Sequence, residues 1–263
     1  MPIDNHIHTT ILNKLAQIEK EHGVEIMFAI ESGSRAWGFD SPDSDYDIRF
    51  IYKHDVDWYL SILPKSDVIE YPITELYDYS GWDLRKTLFL LNKSNPVLFE
   101  WLQSPIVYKK NELSYELLKE IAPLYFSPIS TIYHYLHMAD GNYRQYLQAE
   151  LVKIKKYFYV LRPIFACIWV ETKNEAPPME FERLLHELNL DKNVVIEVEN
   201  LLIKKRSGEE LGLQPKRTTI NQFIEEKLKY YENASKSFNP RIKPDSSIID
   251  NYFGKLLKVV KGA

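Results

Sequence analysis

The chain has 263 residues, 45% of them hydrophobic and 13% aromatic, which is enough to bury one large core or two smaller ones. So high an aromatic share argues against disorder over most of the length, and only 9 glycines argue against repeated glycine-rich phosphate loops. A formal net charge of -4 weighs against a dedicated nucleic-acid binder, while leaving room for a local basic stripe.

A polar N-terminus, MPIDNHIHTT, lacks the basic-then-apolar pattern of a signal peptide. In residues 10–22, Ile11, Leu12, Leu15 and Ile18 fall at helical spacing, with Thr9 or Thr10 as cap and Gly23 as terminator. Residues 24–31, VEIMFAIE, form a continuous apolar run of strand length, the pattern of a strand covered on both faces. After Gly33 and Ser34 comes a short stretch that suits one helical turn, then the turn-rich FDSPDS. Residues 45–52, DYDIRFIY, alternate: Asp45, Asp47 and Arg49 point one way, and Tyr46, Ile48, Phe50 and Tyr52 the other.

Residues 67–79 read as a pair of strands broken at Pro72, and 83–91 as a helix ending at NKSNP. A compact helix around Trp101 and a strand over 106–108 follow. From about 112 onward the pattern is helical: 112–122, a long segment over 129–170 divided near Gly141 and Pro163, then 179–189, 191–206, 218–236 and 248–259. The polar KKRSGEELGLQPKR and an extended connector over 237–247 separate the later helices. An α+β protein is therefore expected, with a mixed sheet and flanking helices over 1–110 and a helical domain over 111–263. The most apolar stretch, 160–170, is interrupted by Arg162 and Pro163 and is too short to cross a bilayer. The lone Cys167 rules out an internal disulfide and a cysteine-built zinc site, and reads as an inert core residue. No membrane association and a cytoplasmic location are the expectation.

The chemistry concentrates in residues 33–50. Asp45 and Asp47, at i and i+2, share a strand face, and like charges so placed call for a cation between them. Hard oxygen ligands favour Mg²⁺ or Mn²⁺. Just upstream, Gly33 removes the Cβ that would block close backbone approach, Ser34 supplies a hydroxyl for a phosphate, and the following N–H groups can form an anion-binding nest. A phosphate-cradling turn facing a carboxylate pair is what triphosphate chemistry requires.

The segment AIESGSRAWGFDSPDSDYDIRF resembles the signature of the DNA polymerase β-like nucleotidyltransferase superfamily: apolar strand, Gly-Ser, a spacer of ten residues from Ser34 to Asp45, then Asp-x-Asp. The extended GSRAWG…SPDSDYD, together with GWDLRKTLFLLNKSNPVLFEWLQSPIVY and KKYFYVLRPIFACIW, is similar to a branch of bacterial and phage predicted nucleotidyltransferases, some linked to RNA repair. The resemblance implies transfer of a nucleoside monophosphate from a nucleoside triphosphate, with Mg²⁺ or Mn²⁺, to an acceptor hydroxyl on an RNA end, a protein or a small molecule. It implies a third carboxylate on a neighbouring strand, for which Asp78, Asp83 and Glu75 compete. The resemblance favours Asp78, while Asp83 suits a helix N-cap. It also assigns Lys155, Tyr159 and Arg162, at i, i+4 and i+7 of one helix, to the leaving pyrophosphate.

Other charges allow two readings each. Arg35 either holds a phosphate or pairs with a nearby acid such as Asp43. Arg49, on the carboxylate face, reads best as a salt bridge that buffers the acidic cluster. Arg85 and Lys86 sit in the first turn of a helix, against the dipole, which marks Lys86 as a candidate phosphate ligand. His6 and His8, or His134 and His137, read as surface or packing residues before metal ligands. The rival to an active enzyme is a nucleotide-binding sensor or partner-binding module without turnover.

Overall fold

The computed structural model describes residues 3–74, 76–207, 212–234 and 244–259. The chain divides into two compact units, one of Met1–Ala36, Asp45–Phe126 and Lys243–Ala263, the other of Trp37–Ser44 and Ser127–Ile242.

In the first unit, α1 (Asn5–His22) starts where the Asp4 carboxylate accepts the amides of His6 and Ile7, and ends at Gly23 with φ 61°. Thr9 and Thr10 are therefore not caps; their hydroxyls donate back to the carbonyls of Asn5 and His6, four residues earlier. Ile11, Leu15 and Ile18 are the buried face, as their spacing predicts. His6 and His8 both lie on this helix, where i and i+2 do not face the same side.

The five-stranded sheet runs β3-β4-β2-β1-β5, built from β1 (Glu25–Glu31), β2 (Tyr46–Lys53), β3 (Val68–Glu70), β4 (Tyr77–Asp83) and β5 (Val107–Lys110). Only β2 and β4 pair in parallel; the other three ladders are antiparallel, so the sheet is mixed as expected. Six of the seven β1 residues are buried, in keeping with its unbroken apolar run. In β2, Tyr46, Ile48, Phe50 and Tyr52 enter the core while Asp47 and Arg49 stay partly exposed. This topology brings the end of β1 and the starts of β2, β4 and β5 to one edge of the sheet.

Short helix α3 (Val56–Tyr59), α4 (Leu84–Asn92), α5 (Pro96–Trp101) and α6 (Glu112–Tyr125) complete the unit together with α12 (Ser246–Lys258), which packs on α4 and α6. The buried Lys53 ammonium donates to the carbonyls of Leu256 and Val259 at the end of α12.

The second unit is helical: α7 (Pro128–Tyr146), α8 (Lys155–Lys173), α9 (Phe181–His186), α10 (Lys192–Arg206) and α11 (Thr218–Ala234), with a small ladder of β6 (Leu151–Val152) and β7 (Gln214–Pro215). The expected breaks at Gly141 and Pro163 do not occur. Helix α7 runs through Gly141, α8 runs through Pro163, and the chain turns at residues 147–154 instead. Pro163 cannot donate to the carbonyl of Tyr159, and the Asn142 side chain takes that carbonyl at 3.2 Å, so the helix continues without an orphaned acceptor. Of the expected connector over 237–247, residues 237–243 lie outside the described residues. Among the described residues no helix is long and apolar enough to cross a membrane.

Candidate active site

Register places two of the candidate acids together. In the parallel ladder Asp47 stands opposite Asp78, one on β2 and one on β4. Arg49, two residues along β2, holds both: its Nη2 lies 3.1 Å from Asp47 Oδ1 and 2.7 Å from Asp78 Oδ2, and its Nη1 donates to the Asp78 carbonyl. Arg49 is thus the buffering salt bridge anticipated from the sequence. Burial pushes the Asp47 carboxyl above its ordinary range, the Asp78 and Asp45 charges add to this, and Arg49 opposes it.

Gly33 opens α2 (Gly33–Trp37) at φ +60°. A Cβ at this position would lie 1.9 Å from Asp47 Oδ2, so the residue must be glycine on two counts, backbone conformation and the carboxylate beside it. Ser32 N donates to the Asp47 carbonyl at 2.8 Å, tying the turn to the start of β2. Ser34 follows, partly exposed. Arg35 donates from Nε to the Asp45 carbonyl at 3.1 Å, and its guanidinium lies 3.8 Å over the Tyr46 ring. Asp45 itself precedes the first residue of β2. Gly33, Ser34, Arg35, Asp45, Asp47 and Asp78 therefore gather at one sheet edge.

Glu31 is a member of this cluster that sequence reasoning missed. It is fully buried at the end of β1. Its Oε1 accepts the Asp47 amide at 2.8 Å and its Oε2 accepts the Tyr108 hydroxyl, while Ser104 Oγ donates to its carbonyl at 2.7 Å. Burial pushes its carboxyl up to about 7 against the pull of those hydrogen bonds. The available signal was a second carboxylate closing the strand, after the apolar IMFAI and directly before Ser-Gly-Ser.

The rival third carboxylates have other settings. Asp83 lies at the far end of β4, where Oδ1 caps α4 through the Arg85 amide at 2.7 Å and Oδ2 accepts the Tyr59 hydroxyl at 2.7 Å. Glu75 lies outside the described residues. Lys86 is not brought to the cluster. It sits beyond the Asp83 end of β4, roughly 17 Å along the strand from Asp78 at 3.3 Å per residue. There its ammonium pairs with Asp67 at 3.0 Å, and that acid answers the unfavourable helix-end charge.

In the second unit, Lys155 opens α8, Tyr159 is 39% exposed and Arg162 only 4%. Arg162 stacks 4.6 Å from the Trp37 ring, whose edge meets Tyr159 at 6.3 Å between centroids. Phe39 stacks on Phe158 at 4.9 Å and meets Phe181 edge-on. The aromatic half of GSRAWGF is thus an anchor on α8 and α9, a role that the motif alone did not reveal. Cys167 is buried and its thiol is pushed up by burial.

Among the described residues no three His, Cys, Asp or Glu side chains close into a ready-made metal cage. The donor set nonetheless suits a hard divalent cation. Asp45, Asp47 and Asp78 offer carboxylate oxygens at one edge, and the missing Cβ of Gly33 leaves room for Asp47 Oδ2.

A mixed sheet carrying paired acids beside a Gly-Ser turn is the arrangement that the resemblance to polymerase β-like nucleotidyltransferases implies. Over residues 7–255 the chain matches the RNA repair pathway DNA polymerase beta family, and it belongs to that family. It is 49% identical over 237 residues to the uncharacterized protein YcgL of Bacillus subtilis (strain 168), covering 90% of this chain and 91% of that one. A nucleotidyltransferase-like protein from Exiguobacterium sibiricum 255-15 aligns at a TM-score of 0.31 and 12% identity, over 84% of this chain and 73% of that one.

Proposed function

We propose that the protein is a divalent-cation-dependent nucleotidyltransferase. It moves a nucleoside monophosphate from a nucleoside triphosphate to an acceptor hydroxyl and releases pyrophosphate. The observation that carries this reading is Asp47 standing in register with Asp78 while Gly33 presses against the Asp47 carboxylate.

Asp45 and Asp47 hold the cation, Mg²⁺ or Mn²⁺, which when bound neutralises the triphosphate and aligns it for in-line attack. Asp78 completes the set and takes the proton of the attacking hydroxyl. The acceptor oxygen bonds to the α-phosphorus as the bond to the bridging oxygen breaks. Gly33, Ser34 and Arg35 hold the β- and γ-phosphates. Lys155, Tyr159 and Arg162 are assigned to the leaving pyrophosphate on the resemblance alone. Lys86, held by Asp67, is left out. The family's description favours an RNA end as acceptor over a protein hydroxyl or a small molecule, and a single reduced cysteine suits a cytoplasmic setting.

The test is incubation with Mg²⁺ or Mn²⁺, each α-labelled triphosphate and each acceptor class. Label should pass to the RNA end with release of pyrophosphate, and Asp47→Asn should abolish it. Calorimetry showing no metal-dependent triphosphate binding sinks the proposal. One observation favours a second reading, a nucleotide sensor without turnover: the Arg49 guanidinium already bridges Asp47 and Asp78 and offsets part of their charge. Triphosphate binding with no label transfer to any acceptor would select it.

A further inference from the structure

We propose that Glu31 is a positioning residue whose buried carboxylate holds Asp47 against the Gly33 turn; its effect on the cation rests on the function proposed above. The last paired residues of the β1–β2 ladder are Glu31 and Ile48. One step further, the Glu31 side chain takes the Asp47 amide: Oε1 accepts the Asp47 N–H at 2.8 Å. The Asp47 carbonyl is taken by Ser32 N, also at 2.8 Å. Two consecutive residues, directly before Gly33, therefore grip the Asp47 backbone at its N–H and at its C=O.

Glu31 is itself gripped from the other side. Tyr108 on β5 donates its hydroxyl to Oε2, and Ser104 donates to the Glu31 carbonyl at 2.7 Å. Both donors are buried, Tyr108 to 6% exposure and Ser104 to 9%. An apolar residue would escape the desolvation that a buried carboxylate suffers but would leave the Asp47 amide and the Tyr108 hydroxyl without their acceptor, so side-chain volume alone does not explain a glutamate here. Its acceptor atoms do: they orient a residue whose Oδ2 would lie 1.9 Å from any Cβ at position 33. With that little clearance, a small slip of Asp47 changes its relation to the Gly-Ser turn. Partners that orient a metal ligand in this way are typically worth about 10- to 100-fold in affinity or activity.

The test uses the full chain in two measurements. Without added metal, hydrogen exchange at the Asp47 amide should quicken in Glu31→Asp, whose shorter side chain withdraws from that amide. With a non-hydrolysable triphosphate, Mn²⁺ affinity by electron paramagnetic resonance should fall by about 10- to 100-fold in Glu31→Asp, and by less in Tyr108→Phe and in Glu31→Gln, whose amide oxygen can still accept the Asp47 N–H. Leu15→Ala, a core change in the same unit, should destabilise the protein and leave Mn²⁺ affinity unchanged. Unaltered Asp47 exchange in Glu31→Asp overturns the proposal. So does a loss of affinity that Leu15→Ala reproduces. If Glu31→Gln does not fold, Glu31→Asp and Tyr108→Phe carry the measurement. A wild-type protein that binds no Mn²⁺, while Asp47 exchange still responds to Glu31→Asp, overturns the proposed function and leaves the positioning role standing.

Discussion

Asp47 and Asp78 face each other across a parallel ladder, and one nitrogen of Arg49 reaches both, at 3.1 and 2.7 Å. Two like charges on adjacent strands need a counter-charge, and a guanidinium fixed two residues away supplies it permanently. A divalent cation at these carboxylates would share that duty. Arg49→Met should therefore lower stability by roughly 1.5–3 kcal/mol in the absence of divalent cations, the range for a hydrogen bond to a charged group. Added Mn²⁺ should restore more stability to this variant than it adds to the wild type. Urea denaturation with and without Mn²⁺ measures both; equal increments would mean that Arg49 and the cation do not share these carboxylates.

Gly33 and Gly23 offer a matched comparison. Their φ values are +60° and +61°, but a Cβ at Gly33 would strike Asp47 Oδ2 at 1.9 Å, while at Gly23 it meets nothing within 4 Å. Gly23→Ala should show the backbone penalty alone, about 1–2 kcal/mol. Gly33→Ala should add displacement of Asp47 and lose metal-dependent triphosphate binding. Thermal melting and calorimetry on the two variants separate the terms, and equal triphosphate affinity in both would remove Gly33 from the site.

The rival carboxylates separate by phenotype. Asp83 caps α4 and accepts the Tyr59 hydroxyl, so Asp83→Ala removes the acceptor of the partly buried Arg85 amide and of the buried Tyr59 hydroxyl. The expected loss is roughly 2–4 kcal/mol of stability, with triphosphate affinity unchanged per folded molecule. Asp78→Asn should do the reverse, relieving repulsion with Asp47 while stopping label transfer. Denaturation curves paired with transfer assays decide it; an Asp83→Ala protein that is stable yet inactive would reverse the assignment.

What the sequence revealed follows from which forces are local. The alternation of β2 was legible because one of its faces is core and the other is the acidic edge, a period-2 signal. The Asp47–Asp78 register was not, because strand pairing is settled by the tertiary fold and the residues alone left three acids in competition. Glu31 was hidden at the end of an apolar run, since its partners Asp47 and Tyr108 are 16 and 77 residues away. The Lys86 pairing was hidden for a similar reason: its unfavourable helix position is answered by Asp67, which only the fold brings near.

Pro163 shows the same limit and gives a direct test. Read locally it breaks a helix, yet α8 runs through it because Asn142, on α7, accepts the role of the missing donor and bonds the Tyr159 carbonyl at 3.2 Å. Asn142→Ala should remove one hydrogen bond to that carbonyl and lower stability by about 0.5–1.5 kcal/mol. In a Pro163→Ala background the backbone amide of residue 163 can bond the same carbonyl, so Asn142→Ala should there have little effect. The two changes should thus be non-additive by about 0.5–1 kcal/mol, the scale expected when two donors compete for one acceptor. Equilibrium unfolding of the two single variants and the double variant closes the cycle. Strict additivity would mean that the Asn142 contact does not compensate the proline, and that α8 tolerates it by packing alone.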